Sequence, residues 1–228
     1  GRLEGRPPRR APSQRVTTAL PPTRPFAGFH FLPIDAPRVR RVVQLLIGLA
    51  LFAVSLSFTV EPKLGASPWT VFHEGASDQT NLSFGTVVSL TGVLLLGALW
   101  WLKEPVGLGT VLNVAIIGPI ADVSLRIIPD LENMVVRVLM LGTAPVLLGL
   151  GTGLYLGTAV GPGPRDGIMT ALNKRGIETW KARTAIELTA LAVGFLLGGV
   201  AGFGTIWMAF TVGPCVQFFL PWFRIDTE

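Results

Sequence analysis

Unbroken apolar stretches of about twenty residues recur along this chain, at about 42–60, 83–102, 107–128, 135–158, 184–201 and 203–223. A helix needs roughly 20 apolar residues to cross the hydrocarbon core of a bilayer. The runs are continuous rather than alternating, which excludes barrel strands and leaves helices as the spanning element. The pattern predicts an all-α polytopic membrane protein with about six transmembrane helices. A glycine-rich corner, Gly198-Gly199-Val200-Ala201-Gly202, separates the last two runs and permits a tight hairpin there.

The pattern also repeats. Gly107-Leu108-Gly109-Thr110 returns as Gly202-Phe203-Gly204-Thr205, and a Gly-Pro pair follows each threonine at the same distance, Gly118-Pro119 and Gly213-Pro214. Residues 106–123 thereby align with 201–218 without a gap, and Gly65-Ala66-Ser67-Pro68-Trp69 aligns with Gly161-Pro162-Gly163-Pro164-Arg165. Self-similarity at a fixed period marks duplication. Each unit holds three spans and one short polar helix. Because three is odd, tandem units must sit in opposite orientations in the bilayer, a construction common in secondary transporters, whose sites lie near the midplane where the repeats meet. The chain divides into an arm at 1–37, a first three-span repeat at 38–130, a second at 131–224 and a tail at 225–228.

Composition supports the membrane reading. Of 228 residues, 50% are hydrophobic and 14% charged, and mean hydropathy is +0.55; a soluble domain carries nearer a quarter charged residues. The net charge of +5 is unevenly spread. Residues 1–41 hold nine arginines against Glu4 and Asp35, while ten basic and twelve acidic residues follow. The arm is rich in proline and cannot bury a core, so it is expected to be disordered. It carries no nucleic-acid recognition motif, and its apolar neighbour starts too late and runs too long for a signal peptide. Arg38, Arg40 and Arg41, the loop residues Arg165, Lys174, Arg175, Lys181 and Arg183, and Arg224 all fall on one side of a six-span arrangement. The positive-inside rule makes that side, with both termini, cytoplasmic. Glu61, Glu74, Asp78, Asp130 and Glu132 fall mostly opposite.

The segments Gly65-Ala66-Ser67-Pro68-Trp69, Leu82-Ser83-Phe84-Gly85-Thr86, Gly107 to Asn113 and Gly163 to Leu172 resemble those of YczE/YitT-type bacterial integral membrane proteins, the YczE branch most closely, over roughly residues 38–222. The resemblance implies a multi-pass protein of the bacterial inner membrane. It supplies no reaction.

Candidate chemistry is sparse. Ser67-Pro68 and Gly163-Pro164 read as helix starts, a cap followed by proline at the first helical position. The free N–H groups of such ends bind anions, and broken helices do this in transporters. Arg165 would strengthen the second site, and Asp166 would weaken it or hold Arg165 in place. Asp122 is the deepest ionisable residue of a span, a position that carries a functional expectation; Arg126 lies four residues on, within pairing distance. Asp122 aligns with Gln217. Asn113, Thr110 and Thr205 follow the glycine motifs and could line a path. Glu187, about one turn into the fifth run, is expected to reach the interface. Cys215 is alone, and His30 and His73 have no ligand-like neighbours, so neither a disulfide framework nor a metal site is expected. No catalytic constellation, cofactor motif or phosphate loop is present. The expected function is transport or conduction of a small solute, an anionic one among the candidates, by alternating access, rather than catalysis. The alternative is a non-transporting accessory protein that binds a protein partner through the loop 161–183 or the basic arm.

Overall fold

The computed structural model describes residues 36–225 and is helical throughout them. Eight helices follow in order: α1 Ala36–Val60, α2 Pro68–Thr80, α3 Phe84–Trp101, α4 Leu108–Ile127, α5 Met134–Gly157, α6 Pro164–Lys174, α7 Thr179–Leu196 and α8 Phe203–Phe223. The arm through residue 35 and the last three residues lie outside the described part, and with them the expectation that the arm is disordered. By length and composition, five of these helices can cross a membrane: α1 from Val39, α3, α4, α5 and α8.

The fifth expected span needs correction. Its helix begins at Thr179 and ends at Leu196 rather than covering 184–201. The first turns add Lys181 and Arg183 to Glu187, too much charge for α7 to match the others in composition. It nevertheless runs from one end of the bundle to the other. It follows the α6 end, where Lys174 and Arg175 pair with Glu104. It finishes where Leu197 accepts a hydrogen bond from Gln79 of α2 at 3.0 Å. The glycine-rich corner is not a hairpin either, since α7 and α8 hardly touch. Gly194 and Gly199 instead pack on the α2 backbone at Val71 and Phe72, so the corner closes on α2.

The centre of the bundle is a row of four, α4–α1–α5–α8. Between apolar helices in lipid, small residues that admit close backbone approach substitute for a hydrophobic driving force. At the α1–α5 crossing, a Cβ on Gly48 would fall 2.8 Å from the Gly151 carbonyl, and one on Gly151 would fall 2.8 Å from the Gly48 carbonyl. On the opposite face of α5, Gly149, Gly153 and Gly157 form a stripe against Cys215, Phe219 and Phe223 of α8. Leu45, Leu49, Ala53 and Leu56, at helical spacing on α1, form the core with Ile117, Ala121 and Tyr155. Gln44 Nε2 donates to the Phe223 carbonyl at 2.7 Å and the Leu154 carbonyl at 3.0 Å, which fastens one end of the row.

Left-handed backbone falls in four pairs. The described residues with positive φ are Lys63, Gly65, Asn81, Lys103, Ala159, Gly161, Gly176 and Gly198. Lys63 matches Ala159, Gly65 matches Gly161, Asn81 matches Gly176 and Lys103 matches Gly198, each 95 or 96 residues apart. Ser67 and Gly163, the caps of α2 and α6, share φ −61° and ψ 156°. Each loop that precedes a short helix docks on the opposite half of the chain. Gly204 N–H donates to Leu64 at 2.8 Å, and Gly109 N–H to Val160 at 3.1 Å. These seats leave no room for a Cβ at Gly107, Gly109, Gly202 or Gly204.

Candidate functional site

The docked loops fix where the short helices begin. α2 runs alongside α7 in the same direction: Trp69 shares a groove with Ala185, Ile186 and Thr189, and Gly75 meets Gly194 and Leu197 further along. The α2 amino terminus therefore lies about one turn beyond Glu187, near Ala190. α6 begins beside Glu187 itself, for Arg165, its second residue, pairs with it, guanidinium to Oε1 at 3.5 Å. Arg165 Nε also faces Asp166 Oδ1 at 3.9 Å. Both short helices thus start within about a turn of the middle of α7 and run outward to opposite ends of the bundle.

Around Arg165 the interior is polar. Tyr155 hydroxyl donates to Asp166 Oδ2 at 3.4 Å and accepts from Gly163 N–H at 3.3 Å. Asn113 of α4 stands at the same corner, its Nδ2 3.7 Å from where a Cβ on Gly163 would sit. Burial alone would lower the Arg165 guanidinium, but Asp166, Glu187 and Tyr155 outweigh it and hold it above its ordinary range. The side chains keep access, 35% exposed for Arg165 and 40% for Asp166. Across from them on α2, His73 is buried among Trp69, Phe72 and Phe84. Neither His73 nitrogen nor the Trp69 N–H has a hydrogen-bond partner. Burial first, then the Arg165 charge, push the imidazole down to about 3, so it is neutral near pH 7. Among the described residues no group of three or more His, Cys, Asp or Glu could hold a metal ion.

The structure brings Arg165, Asp166, Asn113, Gly163 and Pro164 together and sets the α2 start, Ser67 and Pro68, about a turn further along α7. The other expected site residues make their contacts elsewhere. Thr110 Oγ1 donates to the Pro162 carbonyl at 2.7 Å and accepts from Gly107 N–H; Thr205 accepts from Gly202 N–H at 3.1 Å. Asp122 does not pair with Arg126. Its carboxylate takes hydrogen bonds from the Ser83 hydroxyl at 2.5 Å and Gly85 N–H at 2.6 Å, across the amino terminus of α3. A carboxylate there is favoured by the helix dipole. Gln217 is exposed on α8, towards the end that Gln44 fastens, so it does not meet Asp122. Sequence reading missed Tyr155, His73 and the role of Glu187. Glu187 sits mid-helix rather than near the interface, because α7 starts five residues before its apolar stretch.

A bundle of long apolar helices with two short helices starting in its interior defines a polytopic helical membrane protein. Residues 39–221 match the model of a family of unknown function, DUF6198. The chain belongs to that family. An uncharacterised protein of Haemophilus influenzae is 34% identical over 177 residues, covering 77% of this chain and 81% of that protein. The uncharacterised membrane protein YczE of Bacillus subtilis is 34% identical over 178 residues, 76% of this chain and 82% of its own. The uncharacterised protein YyaS of Bacillus subtilis is 29% identical over 183 residues, 77% and 90% of the two chains. No solved structure matches.

Proposed function

We propose that this protein is a transporter or channel for a small solute with an anionic group, which docks at Arg165 between the amino termini of α2 and α6. The observation that carries the reading is the start of both short helices in the interior, α6 at the Arg165–Glu187 pair and α2 about one turn further along α7. Broken helices whose positive ends meet near the midplane are how transporters hold anionic groups without free charges in lipid. The two halves act as inverted three-span repeats, with α7 as the sixth traverse, and alternating access rocks one against the other. The four pairs of left-handed residues and the reciprocal loop docking support that duplication. The basic residues Lys174, Arg175, Lys181 and Arg183 support a topology with the α6 end and both termini on the cytoplasmic side of a bacterial inner membrane.

Single cysteines at Asp78 and Asn173, in a Cys215→Ala background, test the inversion with an impermeant thiol reagent on intact cells. Labelling at 78 alone is expected. Labelling at both, or at 173 alone, rejects the topology and alternating access with it. With topology established, a solute-uptake screen in proteoliposomes is expected to yield a substrate whose uptake Arg165→Gln lowers at least ten-fold.

A further inference from the structure

The charge balance around Arg165 goes further than an anionic group. One guanidinium faces two carboxylates, and its two ion pairs, at 3.5 and 3.9 Å, are long for charge-assisted hydrogen bonds, which run near 2.7–2.9 Å. Arg165 makes no hydrogen bond among the described residues: Nη1 and Nε face carboxylates only at ion-pair distance, which leaves donors of the fork for a ligand. A simple anion here would stand beside Asp166 and Glu187. A simple cation would meet Arg165 and the positive ends of two helices. His73, nine-tenths buried with both nitrogens unpartnered, adds one donor and one acceptor on the α2 side.

Resting on the site assigned above, we infer that the ligand is a small zwitterion, an oxyanion and an ammonium joined by a short chain. The oxyanion lies on Arg165 and the helix amino termini. The ammonium lies on Glu187, with Asp166 beside it. Such a ligand matches each charge with its opposite and adds no net charge to a half-buried site.

Thermal unfolding of the purified protein in detergent tests this without reference to transport. The probes are glycine, β-alanine and 4-aminobutyrate, which space the two charges progressively, against butyrate alone, propylammonium alone and their equimolar mixture. At least one aminocarboxylate is expected to raise the unfolding midpoint by several degrees, where the mixture does not. Glu187→Gln, which keeps shape and removes charge, is expected to weaken that probe at least ten-fold while leaving the unliganded midpoint close to wild type. Arg165→Lys, which keeps the charge and loses the planar fork, should weaken it less than Arg165→Gln. Equal shifts from butyrate alone or from propylammonium alone overturn the zwitterion, as does the absence of any shift. Repeating the titration with phosphatidylethanolamine in the micelle separates sources. A lipid head group in the site competes the aminocarboxylate shift away, and a free-solute site leaves it intact. Loss of uptake with the midpoint shift retained would reject transport and keep the ligand.

Discussion

The first and second halves treat the same seam in opposite ways. In the first, α3 lies against α4. Gly85 and Gly118 touch each other's backbones, Gly92 rests on Val114, and Ser89 donates to the Val114 carbonyl at 3.2 Å. In the second half the aligned positions are Trp180, Gly213 and Glu187, since α3 and α7 have equal length with caps 95 residues apart. Gly213 has nothing within 4 Å of its Cβ position, and α7 stands off from α8. A large ring and a carboxylate replace the two glycines that let α3 close, and the second seam stays open. The short helices diverge likewise: Trp69 and Thr70 open α2 where Arg165 and Asp166 open α6. The paired left-handed corners recur in both halves, while the ion pairs of Arg165 belong to the second.

The contrast breaks most sharply at the glycines. Gly118→Leu must push α3 from α4, and overpacking of this kind is expected to cost about 2–4 kcal/mol in a detergent unfolding assay. Gly213→Leu is expected to cost at most about 0.5 kcal/mol, as for an exposed substitution. Equal costs would mean that α7 and α8 do pack.

Acidification separates the short helices next. The folded His73 titrates at about 3 and an unfolded histidine near 6.5, so the unfolded state binds the extra proton between those values. Stability is full above pH 6.5 and falls as pH drops, by on the order of a few kcal/mol at pH 4. His73→Phe is expected to flatten that dependence and, by removing an unpartnered polar group, to leave stability at pH 7 equal or higher. An unchanged pH profile would place the imidazole in contact with water.

Matched corners should respond alike. Gly65→Ala and Gly161→Ala each force a side chain into left-handed backbone against a packed neighbour. Each is expected to cost about 1–3 kcal/mol, and a large difference between them would argue against equivalent roles. The smallest effect belongs to Asp122→Asn. It weakens the acceptor at the α3 amino terminus by about 1 kcal/mol, and transport per folded molecule is expected to stay near wild type.

Most helix boundaries were legible because apolar runs end at charges, prolines or glycine corners: α4 between Gly107 and Ile128, α8 between Gly202 and Arg224. α7 was misplaced because its first turns, Thr179-Trp180-Lys181-Ala182-Arg183, look like a polar loop; in the structure they are helical and mostly exposed, with Trp180 and Lys181 held locally on Glu178. In the site, Arg165 and Asp166 were readable from a cap-and-proline start, which is a local signal. Tyr155 was hidden inside an apolar run, and Glu187 finds Arg165 only across a fold. Asp122 shows the same limit from the other side. Its depth in a span marked it for function, yet its partners, Ser83 and Gly85, lie 39 and 37 residues away and make it a helix cap.

The placement of α7 has a mechanical consequence. It is seated on α2 through Gly194 and Gly199 and tied to α6 through Glu187, but it is almost free of α8. The four-helix row is clamped by glycine crossings and by Gln44, and it acts as a fixed frame. In the transport cycle proposed above, α7 would be a single rod carrying both walls of the site, and its tilt would shift the two helix starts together. Opening one side and closing the other would then be a single degree of freedom.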